Sequence, residues 1–562
     1  MPVRSLKQGS FFDPCVAAPS CLVVGSVPWL LAHWRDVICP PWLVAGWRGS
    51  GRIGRCAWPA PVLMTLLILR WTEEGTSRIG SMRRAASDIV WRAAMGLEIG
   101  GPTPSERTMR DFEAFIRERS AESDLPRYLL LHEHIVHLAR WSGSAADPTW
   151  AMDSTPQHCY GAVLDTVRLL GDGLRLVATA YASATGKPLL VLARRWKLPL
   201  LLAKSTKGHL SIDWRDSEAR TKVITELAAD VTRVVKLVRA DLPGMKAGPR
   251  KRRLVSRCDA VLAVVAQDLE ATEDGRLVIA HRVAQNRVIS ITDPQARHGR
   301  KTKSQTFNGF KINVLGDLVS GMITAVSVTA GNGHDAPPGH ELIARAVRMR
   351  VEMKRVLADT AYGGAADRHH LAESYGITLI APPPPIAASE DGTSRRNFAI
   401  DFAAMTATCP NGITTSTSEQ VEGARPHIRF RWPLDACSAC PLRETCLRTS
   451  GKKVEDPTTE AKPHRPRPRK VGRVLDLHSH EQELRAAREA WEDPDVRREY
   501  RERTQCERLI SQVIRHGGRQ ARAWGQDAAN LQAHAIVMRC NLELFARNLA
   551  HQLGVLNRRH AA

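Results

Sequence analysis

Apolar residues first recur with a helical period after Pro59, where Pro61, Leu63, Leu66, Leu67 and Leu69 predict a helix. A second helix is expected over about 77–95, closing near Gly96. Thr103-Pro104-Ser105-Glu106 reads as a capping box that opens a third, through Phe112, Phe115 and Ile116. The period then shortens. Residues 150–153 predict a buried strand ending on Asp153, and residues 174–182 a further strand. Residues 211–238 form a long amphipathic helical pattern, and 248–253 a basic loop or helix start. Two alternating runs, 310–315 and 322–328, predict a hairpin joined through Asp317 and Gly321. A helix (340–351), a short strand ending on Asp359, a helix (366–375) and a strand (377–381) follow before Pro382–Pro385 break the pattern. Asp493 and Pro494 cap a helix running to His516, and a last apolar helix spans about 530–553.

Composition alters this picture mainly through charge. The chain has 562 residues, with 80 Lys plus Arg against 58 Asp plus Glu, a formal charge of +22. That excess favours a polyanionic partner, nucleic acid first, over a merely Arg-rich composition. Residues 14–34 carry no Asp, Glu, Lys or Arg, but Asp13, Pro19 and Pro28 interrupt the run and no small-x-small cleavage site follows. Neither a signal peptide nor a membrane span is expected. Twelve cysteines in so long a chain are too sparse for a disulfide scaffold, which fits a reducing cytoplasm.

With the insertions removed, the order is strand, hairpin, helix, strand, helix, strand and a late helix. That order matches an α/β ribonuclease-H-like mixed sheet core. The expected organisation is a Trp-rich extension (1–58) and a helical N-terminal domain (59–145), the latter either a DNA reader or a structural lobe. The first part of the core (146–385) carries a helical insertion at about 205–285. A Cys-rich insertion with a basic, proline-rich linker (386–475) and C-terminal helices completing the core (476–562) follow. Asp153 and Asp359 close strands in this scheme, and Glu507 lies on the late helix. In such a core acids at these positions converge. Three hard oxygen ligands suit Mg²⁺ or Mn²⁺. Two such ions about 3.5–4 Å apart can activate a water or a 3′-hydroxyl and stabilise a leaving oxygen.

Tyr500, Arg503 and Glu507 stand at i, i+3 and i+7, one face of a helix. They satisfy the first three positions of the Tyr-x2-Arg-x3-Glu-x6-Lys signature, and over roughly 59–550 the chain resembles the bacterial insertion-sequence DDE transposases. Ile514 occupies the lysine position, with Arg515 beside it about 100° further round the helix. Asp293 to Arg297, Gly299 to Lys301, Phe310-Lys311, Asn332 to Asp335, Ala358 to Gly363 and Asp153 to Thr155 resemble further pieces of that family. The resemblance implies that Asp153, Asp359 and Glu507 bind the metals and that Lys311 and Arg503 meet phosphate. It also implies that Tyr500 supports the site or stacks on DNA, with Arg515 a further DNA contact. It implies binding of terminal inverted repeats, hydrolysis and strand transfer, a dimer or larger synapse, and work in the bacterial cytoplasm at the nucleoid. A catalytically silent DNA-binding descendant and a stand-alone nuclease are the rivals.

Cys409, Cys437, Cys440 and Cys446 offer four thiols in a loop-rich segment. A tetrahedral structural Zn²⁺ would use all four. The other reading is a set of reduced core cysteines. His369 and His370 project about 100° apart on a helix and are expected at the surface or in packing, as is His158.

Overall fold

The computed structural model describes residues 12–18, 20–47, 57–72, 77–143, 147–302, 304–386, 393–423, 426–447 and 472–554. The basic tract 462–470 lies outside the described residues. Contacts divide the chain into two compact units, one from residues 1–351 and 505–562, the other from 352–504.

The first unit is mixed α/β, built on β1 (Trp150–His158), with a small hairpin of β2 (Leu269–Ala271) and β3 (Leu277–Ile279). Its main sheet adds β4 (Arg297–Arg300), β5 (Thr306–Asp317) and β6 (Ile323–Ala330). β5 pairs antiparallel with β1, β4 and β6. The predicted hairpin is therefore present. The expected end of β1 is not: Asp153 is mid-strand, opposite Val314, and pairing continues to His158 opposite Gly309. Ser154-Thr155-Pro156 reads like a turn, yet β5 holds it extended, Pro156 facing Lys311. Gly309 has φ +147°, and a Cβ there would meet the His158–Cys159 backbone.

The helix Gln526–Gln552 satisfies polar groups of β6. Asn541 bonds both the N–H and the carbonyl of Ile323, Asn530 accepts from Val328 N–H, and Gln526 donates to Val328 O. Side chains thus pair a strand edge that would otherwise be open.

The stretch expected as a strand over 174–182 is inside the helix Thr166–Thr185. Its apolar residues join Val231, Val234, Leu254 and Val261 in the core of a helical insert that includes Ser217–Asp241 and Pro249–Asp268. Gly171 and Gly173 permit this: a Cβ on either would come within 3 Å of Thr206 or Val261. The apolar run is long enough for either element, and close helix packing decides.

Near the N-terminus, Asp88 splits the expected 77–95 helix into Arg78–Ser87 and Ile89–Met95 by accepting from Val90 and Trp91 N–H. Ser105, rather than Thr103, caps the helix Glu106–Arg117. Arg92 is buried and donates to the carbonyls of Ala85, Glu98 and Gly101. Part of the Trp-rich stretch forms the helix Val27–Ile38, which buries Leu30, Leu31 and Ile38.

The second unit opens with β7 (Arg355–Leu357), the helix Ala365–Tyr375 and β8 (Thr378–Ile380), the two strands being parallel. Two three-stranded sheets follow: β9 (Ala399–Asp401), β10 (Thr406–Thr408) and β11 (Thr414–Thr415); then β12 (Ser418–Val421), β13 (His427–Arg431) and β14 (Val474–His478). Phe398, Phe430, Trp432 and Leu477 fill their core. The helix expected to run unbroken from Pro494 to His516 is segmented: Pro494–Arg501 and the start of a 3-10 turn Glu502–Gln505 belong to the second unit, and the helix Cys506–Val513 and a π turn Ile514–Gly518 to the first. Among the described residues no single helix is long and apolar enough to cross a membrane.

Candidate metal and nucleic-acid sites

In the first unit, Asp153 is half-buried on β1 and its Oδ1 accepts from Ser154 N–H at 2.8 Å. Strand alternation puts Ala151 and Asp153 on one face. Gly316 lies opposite Ala151 on β5, so a Cβ there would point to the same face. That Cβ would come 2.7 Å from Leu509 Cδ1 and 2.6 Å from Met322 O. The helix Cys506–Val513 therefore packs on the face that carries Asp153, and the missing side chain of Gly316 lets it approach. Glu507, near the start of that helix, is exposed.

Glu507 lines a cleft of about 1020 Å³ with Arg508, Arg515, Arg539, Arg547 and Glu543. Burial works to raise the Glu543 carboxyl, but hydrogen bonds from His516 and Arg539 outweigh it and hold the group below its usual range. Arg508 and Arg515 are exposed. Arg539 and Arg547 belong to the last helix, and no sequence spacing joined them to Glu507. Lys311 is more enclosed: its ammonium donates to Gly333 O at 2.8 Å and to Asp335 Oδ1 at 3.0 Å, tying β5 to the turn after β6.

In the second unit, Asp359 follows β7 and caps the 3-10 turn Thr360–Tyr362, its Oδ1 accepting from Ala361 N–H at 2.9 Å. Its Oδ2 faces Arg503 Nη2 at 4.0 Å. Arg368 braces this turn, donating to Gly363 O, Leu379 O and Ala381 O at 3.1, 3.0 and 2.7 Å. Burial brings the Arg368 guanidinium down to about 10, with Arg488 adding to the effect, so it remains charged at neutral pH. Tyr500 packs edge-on against Trp491, ring centroids 4.9 Å apart.

Cys409, Cys437, Cys440 and Cys446 surround a cavity of about 20 Å³ with Trp432 and Arg473. Burial pushes the Cys446 thiol up and Arg473 pulls against it, while Cys437, Cys440 and Cys409 raise it further. The other three thiols thus lie near enough for their charges to act on Cys446. Among the described residues, a tighter set with all ligand atoms within 4.8 Å is His369, His480 and Glu483, a candidate metal-binding group. His369 meets His480 rather than its neighbour His370, a pairing that no local spacing reveals.

A mixed α/β framework with helix-borne and strand-borne acids and an arginine-lined cleft is the kind of machinery a DNA-processing enzyme uses. Residues 408–546 match a family model described as a transposase DDE domain. The chain's resemblance to DDE transposases is supported over that span, and a transposase domain implies DNA as its partner. The span holds the cysteine cluster, Tyr500, Arg503, Glu507 and Arg515; Asp153, Lys311 and Asp359 precede it. No curated protein and no solved structure matches the chain.

Proposed function

We propose that this chain is an insertion-sequence transposase with a ribonuclease-H-like catalytic core. It binds the terminal inverted repeats of its element, hydrolyses a phosphodiester at each end, and directs the freed 3′-hydroxyl at target DNA. The observation that carries the reading is the packing of the Glu507 helix on the sheet face that bears Asp153, beside an arginine-lined cleft. The transposase DDE match over Glu507 supports it.

Asp153, Asp359 and Glu507 are the metal ligands in this reading. Their donors are hard carboxylate oxygens, the chemistry Mg²⁺ or Mn²⁺ prefers. Such ions, when bound, supply activation of the attacking oxygen and charge stabilisation for the leaving one. The protein's own part is to hold the acids in place. Ser154 N–H and Ala361 N–H each take one oxygen of Asp153 and Asp359, which fixes the rotation of both carboxylates. Arg503 sets a positive charge beside Asp359. Arg508, Arg515, Arg539 and Arg547 line a path for the phosphate backbone. Lys311 acts one step removed, fixing the Asp335 turn. The four cysteines hold a structural Zn²⁺, and the enzyme works as a dimer or larger synapse in the bacterial cytoplasm, at the nucleoid. The five sequence segments are its proposed working parts.

The deciding experiment incubates purified protein with DNA carrying an element end, with Mg²⁺, and follows cleavage and joining. Asp359→Asn is expected to abolish cleavage while binding stays near wild type. Full cleavage by that variant would overturn the triad. A gel shift without cleavage by the wild type marks a silent DNA-binding protein, and hydrolysis without joining marks a stand-alone nuclease.

A further inference from the structure

His369 projects from the helix Ala365–Tyr375, and His480 and Glu483 from the start of the helix Glu481–Glu492. His369 Nδ1 is 2.7 Å from Glu483 Oε1, and His480 Nδ1 is 3.6 Å from the same oxygen. The two imidazoles stack with centroids 3.7 Å apart and planes within 16°. Two ring nitrogens thus gather about one carboxylate oxygen. Each side chain is about a third exposed (37%, 31% and 33%), so a solvated ion can reach them.

We propose that His369, His480 and Glu483 form a binding site for a divalent transition ion, Zn²⁺, Co²⁺ or Ni²⁺, that clamps the two helices together. Two imidazoles and a carboxylate form a borderline donor set that these ions favour, whereas Mg²⁺ prefers oxygen ligands and keeps its water. Entry of the ion replaces the His369–Glu483 hydrogen bond. The neutral His369 ring gives up its Nδ1 proton and carries one on Nε2 instead, so the ring keeps its proton count, and ring rotations turn both lone pairs inward. His480 is already biased to its neutral, ligating form: burial lowers its pKa first, His369 and His478 add to the effect, and Glu483 opposes it. His478 is a support. Its Nδ1 accepts from the His480 backbone N–H at 3.1 Å, which fixes the loop from which His480 projects.

The clamp joins two parts of the second unit that the sequence separates widely. One end lies on the helix that follows Asp359 within the strand–helix–strand element. The other lies just past β14, where the chain leaves the cysteine-bearing sheets. The inference is independent of the transposase reading, because it concerns only this cluster.

The test uses the full-length protein, stripped with a chelator, held in excess Mg²⁺ and titrated with Co²⁺ by calorimetry and absorption. Thiolate-bound Co²⁺ gives a strong near-ultraviolet charge-transfer band, and a histidine–carboxylate site gives none. The wild type is expected to bind one equivalent that adds no thiolate band. His369→Ala and Glu483→Gln should each weaken that equivalent at least tenfold with any thiolate band unchanged. Cys440→Ser should leave it in place. Should His369→Ala disturb folding, seen as altered circular dichroism, the near-isosteric His480→Gln decides instead. Unchanged stoichiometry and affinity in the folded variants, or no band-free equivalent in the wild type, would overturn the site.

Discussion

Arg503 holds a guanidinium nitrogen 4.0 Å from a carboxylate oxygen of Asp359. The arginine is about one-fifth exposed and the aspartate about two-fifths, so water screens the pair only in part. The arginine of the Tyr500–Glu507 run therefore meets the second proposed acid before it meets any phosphate. The contact helps to orient the carboxylate that the proposed metal needs.

Arg503→Ala is accordingly expected to slow single-turnover cleavage of an element end by about tenfold or more, with Arg503→Lys recovering part of the loss. The rate is read against Mg²⁺ concentration. If Asp359 is the group affected, the variant needs more Mg²⁺ than the wild type. An unchanged Mg²⁺ requirement assigns Arg503 to the DNA instead.

The exposed arginines of the Glu507 cleft lead to a different measurement. Arg508→Ala and Arg515→Ala should weaken binding of element-end DNA, and each should flatten the plot of log affinity against log salt by about one unit. A salt slope equal to the wild type's in the double variant would take both residues off the DNA path.

Gly316 sets how closely the Glu507 helix packs. A methyl group there would press on Met322 O, a backbone atom that cannot swing aside, as well as on Leu509. Gly316→Ala is expected to cost about 1–3 kcal/mol of stability. Urea unfolding measures this, and cleavage should fall further than the stability loss alone explains.

His132 and His534 give the fold a pH limit. Their Nδ1 atoms are 3.1 Å apart, His132 Nε2 bonds to Thr324 O, and Arg345 approaches His534 Nε2. Burial is the main cause that lowers both, His132 to about 4. Both rings are neutral in the fold, while unfolded histidines take up protons below about 6.5. Their contribution is therefore complete above pH 6.5 and is lost as pH falls through the window toward 4. For His132 alone the loss is on the order of 3 kcal/mol. Urea midpoints between pH 7.5 and 4.5 should show this decline, and His132→Asn should make it shallower.

The proposed zinc gives a stoichiometric prediction. In a His369→Ala background, which removes the histidine–carboxylate site, protein purified without chelator should carry one Zn²⁺ that Cys440→Ser removes, measured by elemental analysis. A full complement in that variant would return the thiols to the reading of plain core cysteines.

Much of this architecture was legible because its signals are local. The β5–β6 hairpin, the helix Gln526–Gln552 and the short strand leading to Asp359 each announce themselves by period and by flanking residues. The failures have a common physical origin in partners distant in sequence. Residues 174–182 form an apolar run whose helical state is stabilised by Thr206 and Val261 closing on Gly171 and Gly173. Ser154-Thr155-Pro156 has turn chemistry, and β5 overrides it. Arg92 is polar in any composition count, yet backbone carbonyls folded around it make it an interior residue. Resemblance names Asp153, Asp359 and Glu507 as proposed ligands, whereas no local signal joins Arg539 and Arg547 to the cleft that Glu507 lines.

Arg368 and His369 are successive residues on one helix, and they serve opposite purposes. Arg368 keeps its charge across the whole physiological range and locks three carbonyls around the turn that presents Asp359. His369 is held through a contact that an arriving metal ion would rewrite. The helix thus has a permanent fastening next to an adjustable one. Solution conditions can alter how firmly its outer face is tethered while the backbone around Asp359 keeps its shape.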